Sequence, residues 1–147
     1  MKMNDKMSAL LQRADLHWPL GAKATTGEPP ILEFVQGCVL LKTEYELNKH
    51  VKLAEFPDKT GLECFINHVH FRFTGTNESL TSCLEYAAAL QAVLASAAQD
   101  RRFRVIVGIN DNDCVVRFHQ IRPGESWISE DLEGYKSEAV LVYDVPS

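Results

Sequence analysis

Residues 79–99 place Leu80, Leu84, Ala87, Leu90, Leu94 and Ala97 on one stripe at helical spacing, the clearest periodic signal in the chain. A helix this apolar along one side must be covered by a second layer, and its many alanines suit close packing against a sheet. Ser82 and Glu85 offer a capping box if the helix starts late. Strand-like segments follow it at once. Residues 103–109 and 114–121 are rich in Val, Ile and Phe and flank Asn110-Asp111-Asn112-Asp113, a turn sequence, so they predict a hairpin. Residues 139–145 are apolar on both faces, as in a strand that runs centrally.

The first half of the chain completes the outline. Met7, Leu10, Leu11 and Ala14 sit at i, i+3, i+4 and i+7 and predict a helix over 4–16. Gly21, Gly27 and Pro29-Pro30 predict a loop over 19–30. Residues 31–47 are β-rich around Gly37 and read as one bulged strand or a tight hairpin. Residues 51–56 and 62–73 flank Pro57-Asp58-Lys59-Thr60-Gly61 and read as a second hairpin. In its second arm Val69, Phe71 and Phe73 alternate with His68, His70 and Arg72, which separates an apolar face from a polar one. The order predicts a single α+β domain over 1–147, with its body over 31–145. It has an antiparallel sheet of about six strands and two helices packed on one face.

The chain has 147 residues with 46% hydrophobic content, enough for a real core. The N-terminal stretch is interrupted by Gln12, Arg13 and Asp15, and no run approaches the roughly 18 apolar residues of a membrane span, so a cytoplasmic protein is expected. Cys38, Cys64, Cys83 and Cys114 are far apart with no CxxC pair, and read as reduced core thiols.

Charge is uneven. Residues 1–107 are balanced, while residues 108–147 hold eight acidic against three basic residues and carry the whole formal charge of −5. Such a balance disfavours nucleic acid as the partner, since phosphate binding needs clustered Lys and Arg. The one dense basic run, Arg101-Arg102 with Arg104, follows a helix, where cations are favoured by the dipole. The acids alternate with large side chains in Glu125-Ser126-Trp127-Ile128-Ser129-Glu130-Asp131-Leu132-Glu133-Gly134-Tyr135, a composition suited to a basic protein partner. Trp127 and Tyr135 read either as core plugs or as interface anchors. Ser129 offers an N-cap for a helical turn over 129–133, which gives the acids a purely local reason as well.

No catalytic signature is present. There is no GxSxG or Cys-His pattern, no phosphate loop, and the adjacent carboxylates Glu130-Asp131 diverge in most backbone conformations. No enzyme, cofactor or metal is expected. One polar sheet face gathers His68, His70, His119, Arg72, Arg104 and Arg117. It reads as a solvated surface, as a small-anion, metal or enzymatic site, or as arginines paired internally by the acidic C-terminal segment.

The stretches Val115-Val116-Arg117-Phe118-His119-Gln120-Ile121-Arg122-Pro123-Gly124-Glu125-Ser126-Trp127 and Asp131-Leu132-Glu133-Gly134-Tyr135-Lys136-Ser137-Glu138-Ala139-Val140-Leu141-Val142-Tyr143 resemble small immunity proteins of bacterial polymorphic toxin systems, particularly contact-dependent growth inhibition. The resemblance implies a cytosolic, acidic, non-catalytic protein that blocks a cognate toxin C-terminal domain, often a basic nuclease. Those families share no single set of binding residues. From the residues themselves, the expected partner contacts are Asp111, Asp113, Glu125, Glu130, Asp131 and Glu133, with Trp127 and Tyr135 as anchors.

Overall fold

The computed structural model describes residues 1–20, 28–97 and 100–146. Strand β1 (Lys2–Met3) leads into helix α1 (Asp5–Arg13), which is followed by β2 (Leu32–Val35), β3 (Cys38–Leu41), α2 (Lys42–Leu47) and α3 (Lys59–Ile66). Then come β4 (His68–Arg72), the long helix α4 (Asn77–Ala97), β5 (Phe103–Ile109), β6 (Asp113–Gln120) and β7 (Ala139–Val145). The five-stranded sheet runs β1-β7-β5-β6-β4, every neighbouring pair antiparallel, and β2-β3 form a separate two-stranded hairpin. The α+β class holds, and α1 and α4 cover one sheet face.

That covered face forms the main core. Alternate residues Phe103, Val105 and Val107 of β5 and Cys114, Val116 and Phe118 of β6 meet Met7 and Leu11 of α1 and the α4 stripe. By length and composition α4 could cross a membrane, yet Leu80, Cys83, Leu84, Ala87, Leu90 and Leu94 are its buried residues and lie in this core. Its N-terminus is capped earlier than Ser82: the Thr76 hydroxyl accepts from Ser79 N at 3.2 Å. Buried Tyr143 of β7 donates its hydroxyl proton to the Ala87 carbonyl at 2.8 Å, which sets α4 against the sheet.

Several expectations are corrected. Residues 51–56 form no strand but a short 3-10 turn at Leu53–Glu55, and the segment after Pro57 is helical. Asp58, expected in a hairpin turn, is the N-cap of α3, its carboxylate accepting from Gly61 N at 2.7 Å. Only from His68 does the alternating pattern produce a strand. Residues 31–47 resolve into a tight hairpin, with Gln36 and Gly37 both at positive φ as a two-residue turn wants, followed by α2. β1 was not anticipated, and the 19–30 loop falls largely outside the described residues.

The expectation of four thiols fails for Cys83 and Cys114, which face each other between α4 and β6 with Cα atoms 6.7 Å apart and form a disulfide. They lie on different elements, so sequence spacing carried no hint of the pairing. Cys38 and Cys64 are free and buried, and burial pushes the Cys64 thiol up to about 12.

Two buried polar side chains of α3 and its C-terminus fasten the small hairpin to the sheet. The carboxylate of Glu63, fully buried, accepts from Val39 N at 2.8 Å and Gln120 N at 3.0 Å. Asn67 accepts from Leu41 N at 2.8 Å and donates to the Val39 carbonyl at 2.7 Å. The bonds at Val39 and Leu41 satisfy backbone groups of β3 that no neighbouring strand of the main sheet reaches, and the one at Gln120 ties α3 to the end of β6. Strand β3 is therefore buried on both sides, Val39 and Leu41 in the main core and Cys38 and Leu40 in a smaller one with Leu62 and Ile66.

Candidate functional site

The opposite face of the sheet carries the polar residues singled out above. Register puts His68 beside Arg117, Arg117 beside Ile106, and Arg104 between His119 and Asp144. Residues 122–138 cross this face as a strap. Ile128, Leu132 and Tyr135 pack there on Ile106, Val140 and Val142 in a third small cluster.

Each end of the strap is tied down. At its start Arg122 Nη1 contacts Glu63 Oε1 at 2.6 Å, and Glu125 accepts from Thr60 N at 3.2 Å. At its end Asn4, only 3% exposed, donates to the Glu138 carbonyl at 2.8 Å and accepts from Val140 N at 2.9 Å and Met7 N at 3.1 Å. One asparagine thus caps α1 and joins it to the strap and β7. In between, Ser129 N donates to the Tyr135 hydroxyl at 3.0 Å. Asp131, rather than Ser129, caps the 3-10 turn Leu132–Gly134, accepting from Glu133 N at 3.2 Å.

The polar face is largely satisfied from within. Arg104 makes a paired contact to Asp144 at 2.8 and 3.1 Å, which holds the Asp144 carboxyl below its usual range. Arg117 donates to the Cys64 carbonyl at 3.3 Å and lies 5.0 Å from the Trp127 ring centre, and burial lowers its pKa. His70 contacts Asp113 at 2.9 Å. His119 is 3% exposed, its Nδ1 against the Gln120 carbonyl and its Nε2 without a partner among the described residues, and burial lowers its pKa. Its ring is buried while those of His68 and His70 sit 5.1 Å apart at the edge strand, and no three potential ligands gather as a metal site among the described residues.

The expected contact residues separate into two kinds. Trp127, 48% exposed, and half-buried Tyr135 line one groove of about 350 Å³ on the sheet face. Asp111 is exposed at the tip of the β5-β6 turn, and Asp131 is exposed on the strap. The other acids have internal duties. Glu130 meets Lys2 at 2.8 Å, which lowers its pKa, and approaches Arg104 at 3.9 Å. Glu133 accepts from Asp5 N at 2.7 Å in the first turn of α1, where a carboxylate is favoured. Asp113 is occupied by His70 and Glu125 by α3.

Four residues of the site, Gly108, Glu138, Asn4 and Glu63, are not among the expected contacts. Glu138 lies over Gly108, where an added Cβ would meet its Oε2 at 3.4 Å, and Gly108 keeps the groove floor open. Asn4 and Glu63 hold the two ends of the strap directly. The contacts that do so join residues far apart in the chain, 59 apart for Glu63 and Arg122 and 134 for Asn4 and Glu138, so no local signal marks that role, although Asn4 also caps α1 locally at Met7 N.

No curated protein and no solved structure matches the chain. A family model does match it, over residues 2–147. With that match spanning nearly its full length, the chain belongs to the family described as Uncharacterized protein PM0498 family.

Proposed function

We propose that this chain is a non-catalytic, toxin-neutralising immunity protein that binds and blocks a cognate toxin domain, of the basic nuclease kind, in the cytosol. The observation that carries the reading is the strap itself. It presents Trp127, half exposed, and Tyr135 along one groove, with the exposed carboxylate of Asp131 on the same segment, flanked by Glu130 and Glu133, which stay exposed while contacting Lys2 and Asp5 N. Aromatic anchors beside acidic, solvent-facing side chains are the makings of an interface for a basic protein. The rival use of the polar face for a small anion is less well supported. Arg104 already holds Asp144 and Arg117 is engaged by Trp127 and Cys64, so these guanidinium groups do not converge on open space.

The test is co-expression with the C-terminal domain of a large secreted protein encoded next to this chain. Rescue of growth and a co-purifying complex are expected. Asp111→Asn combined with Glu130→Gln and Asp131→Asn should slow association about tenfold or more and flatten its salt dependence. A toxin left fully active by saturating amounts of the folded wild-type chain would rule the reading out.

A further inference from the structure

The groove between the strap and the sheet contains a carboxylate that makes no ion pair among the described residues, although its charge is felt by Arg117 on the same groove. Glu138 is half-buried, sits over Gly108, and its side chain has no hydrogen bond and no cation within ion-pair distance among the described residues. Every other acid on the strap or beside its ends has a partner or faces solvent. A partly desolvated carboxylate gains from a cation that reaches it, because the local dielectric is lower than that of water.

The walls around it match the rest of a basic side chain. Val115, Val140 and Ile128 give the groove apolar sides that suit a methylene stem, while Trp127 and Tyr135 add aromatic surface suited to a cationic head. Gly108 matters because an added Cβ there would touch the carboxylate at 3.4 Å, and a larger side chain would occupy the groove. Arg117 lines the same groove, but register sets it opposite Ile106, one alternate position along β5 from Gly108, where Trp127 and the Cys64 carbonyl hold it. The Arg117–Trp127 contact also shows that this strap engages a guanidinium group over an aromatic ring.

We infer that this groove receives a lysine or arginine side chain of the protein partner, its stem along the Val115–Val140 floor and its cationic head on Glu138. The inference rests on the reading of the chain as a binder of a basic protein, and it names the contact at which that protein is gripped. It assigns Glu138, Gly108 and Tyr135 to recognition and Arg117 to holding Trp127 in place.

The probe is Nα-acetyl-arginine-N-methylamide, whose only charge is the guanidinium, added to the full chain and followed by amide and indole NMR shifts. Saturable shifts at Gly108 and the Trp127 indole N–H are expected. The uncharged citrulline analogue should bind at least about tenfold more weakly, as should the arginine probe to Glu138→Gln, the loss typical of one charge-assisted bond. Trp127→Leu, a second variant outside the core, should also weaken it. Absence of saturable shifts, equal binding of the citrulline analogue, or full affinity in a folded Glu138→Gln protein would each overturn the assignment. Because the probe needs no toxin, its failure is separable from failure of the immunity reading, which the co-expression assay measures.

Discussion

Arg122 and Glu63 face each other at 2.6 Å, with Glu63 fully buried and Arg122 also donating to the Gly37 carbonyl at 3.2 Å. This pair links the start of the strap, α3 and the β2-β3 turn. Taking a carboxylate out of water costs several kcal/mol, and here the backbone donors of Val39 and Gln120 offset it together with the guanidinium. Arg122→Met should therefore destabilise the protein by about 3–5 kcal/mol, because it leaves a buried carboxylate without its cation. Urea unfolding checks this, and a loss below about 1 kcal/mol would mean that solvent already reaches Glu63.

Asn4→Ala removes the N-cap of α1 and leaves the buried Val140 N–H without its acceptor. A lost cap and one orphaned donor together predict a loss of about 2–4 kcal/mol. Hydrogen exchange should show the Val140 amide opening much faster. An unchanged exchange rate there would place the coupling between α1 and β7 elsewhere.

Burial lowers the pKa of His119, and of the more exposed His68 on the edge strand, from their ordinary value of 6.5. With the folded value below the unfolded one, the unfolded chain binds the extra protons. The stability these rings contribute is thus complete above about 6.5 and declines as pH falls through that value toward the folded one. Wild-type thermal stability should drop between pH 7 and pH 5, and His119→Gln should show a shallower drop over the same interval. A variant with an unaltered slope would remove His119 from this account.

The disulfide makes a chemical prediction. After denaturation without reductant, the chain should take up two alkyl groups, at Cys38 and Cys64, and four after reduction. Mass spectrometry reads this directly, and modification at Cys83 in the unreduced sample would show that the pair is not bonded.

Much of the second half was legible in the sequence because its information is local. Strand β5 runs over Phe103–Ile109 and β7 over Ala139–Val145, as the apolar patterns predict, and Asn110-Asp111-Asn112-Asp113 lies where the chain turns between β5 and β6. The polar face was legible too, since period-2 alternation places Arg104, Arg117 and His119 together once the strands pair. The hairpin expected around Pro57 was not, because Asp58 serves a turn and a helix N-cap equally well. What separates the two is Glu63, buried where its carboxylate can reach Val39 and Arg122, and those partners are supplied by other elements.

The charge of residues 108–147 and the aromatics among them were fixed by composition, and so was their suitability for a protein surface. Which acids remain available was decided only by folding. Asp144 goes to Arg104, Asp113 to His70, Glu125 to Thr60 and Glu133 to α1, because a sheet face that gathers arginines and helix ends draws the nearest carboxylates to them. Glu138, unremarkable in sequence, is left over Gly108 in an aromatic groove, since pairing β7 with β5 brings the strap's last residues across a strand position without a side chain. Periodicity and capping are properties of neighbours along the chain, whereas the fate of each charge depends on contacts made across it.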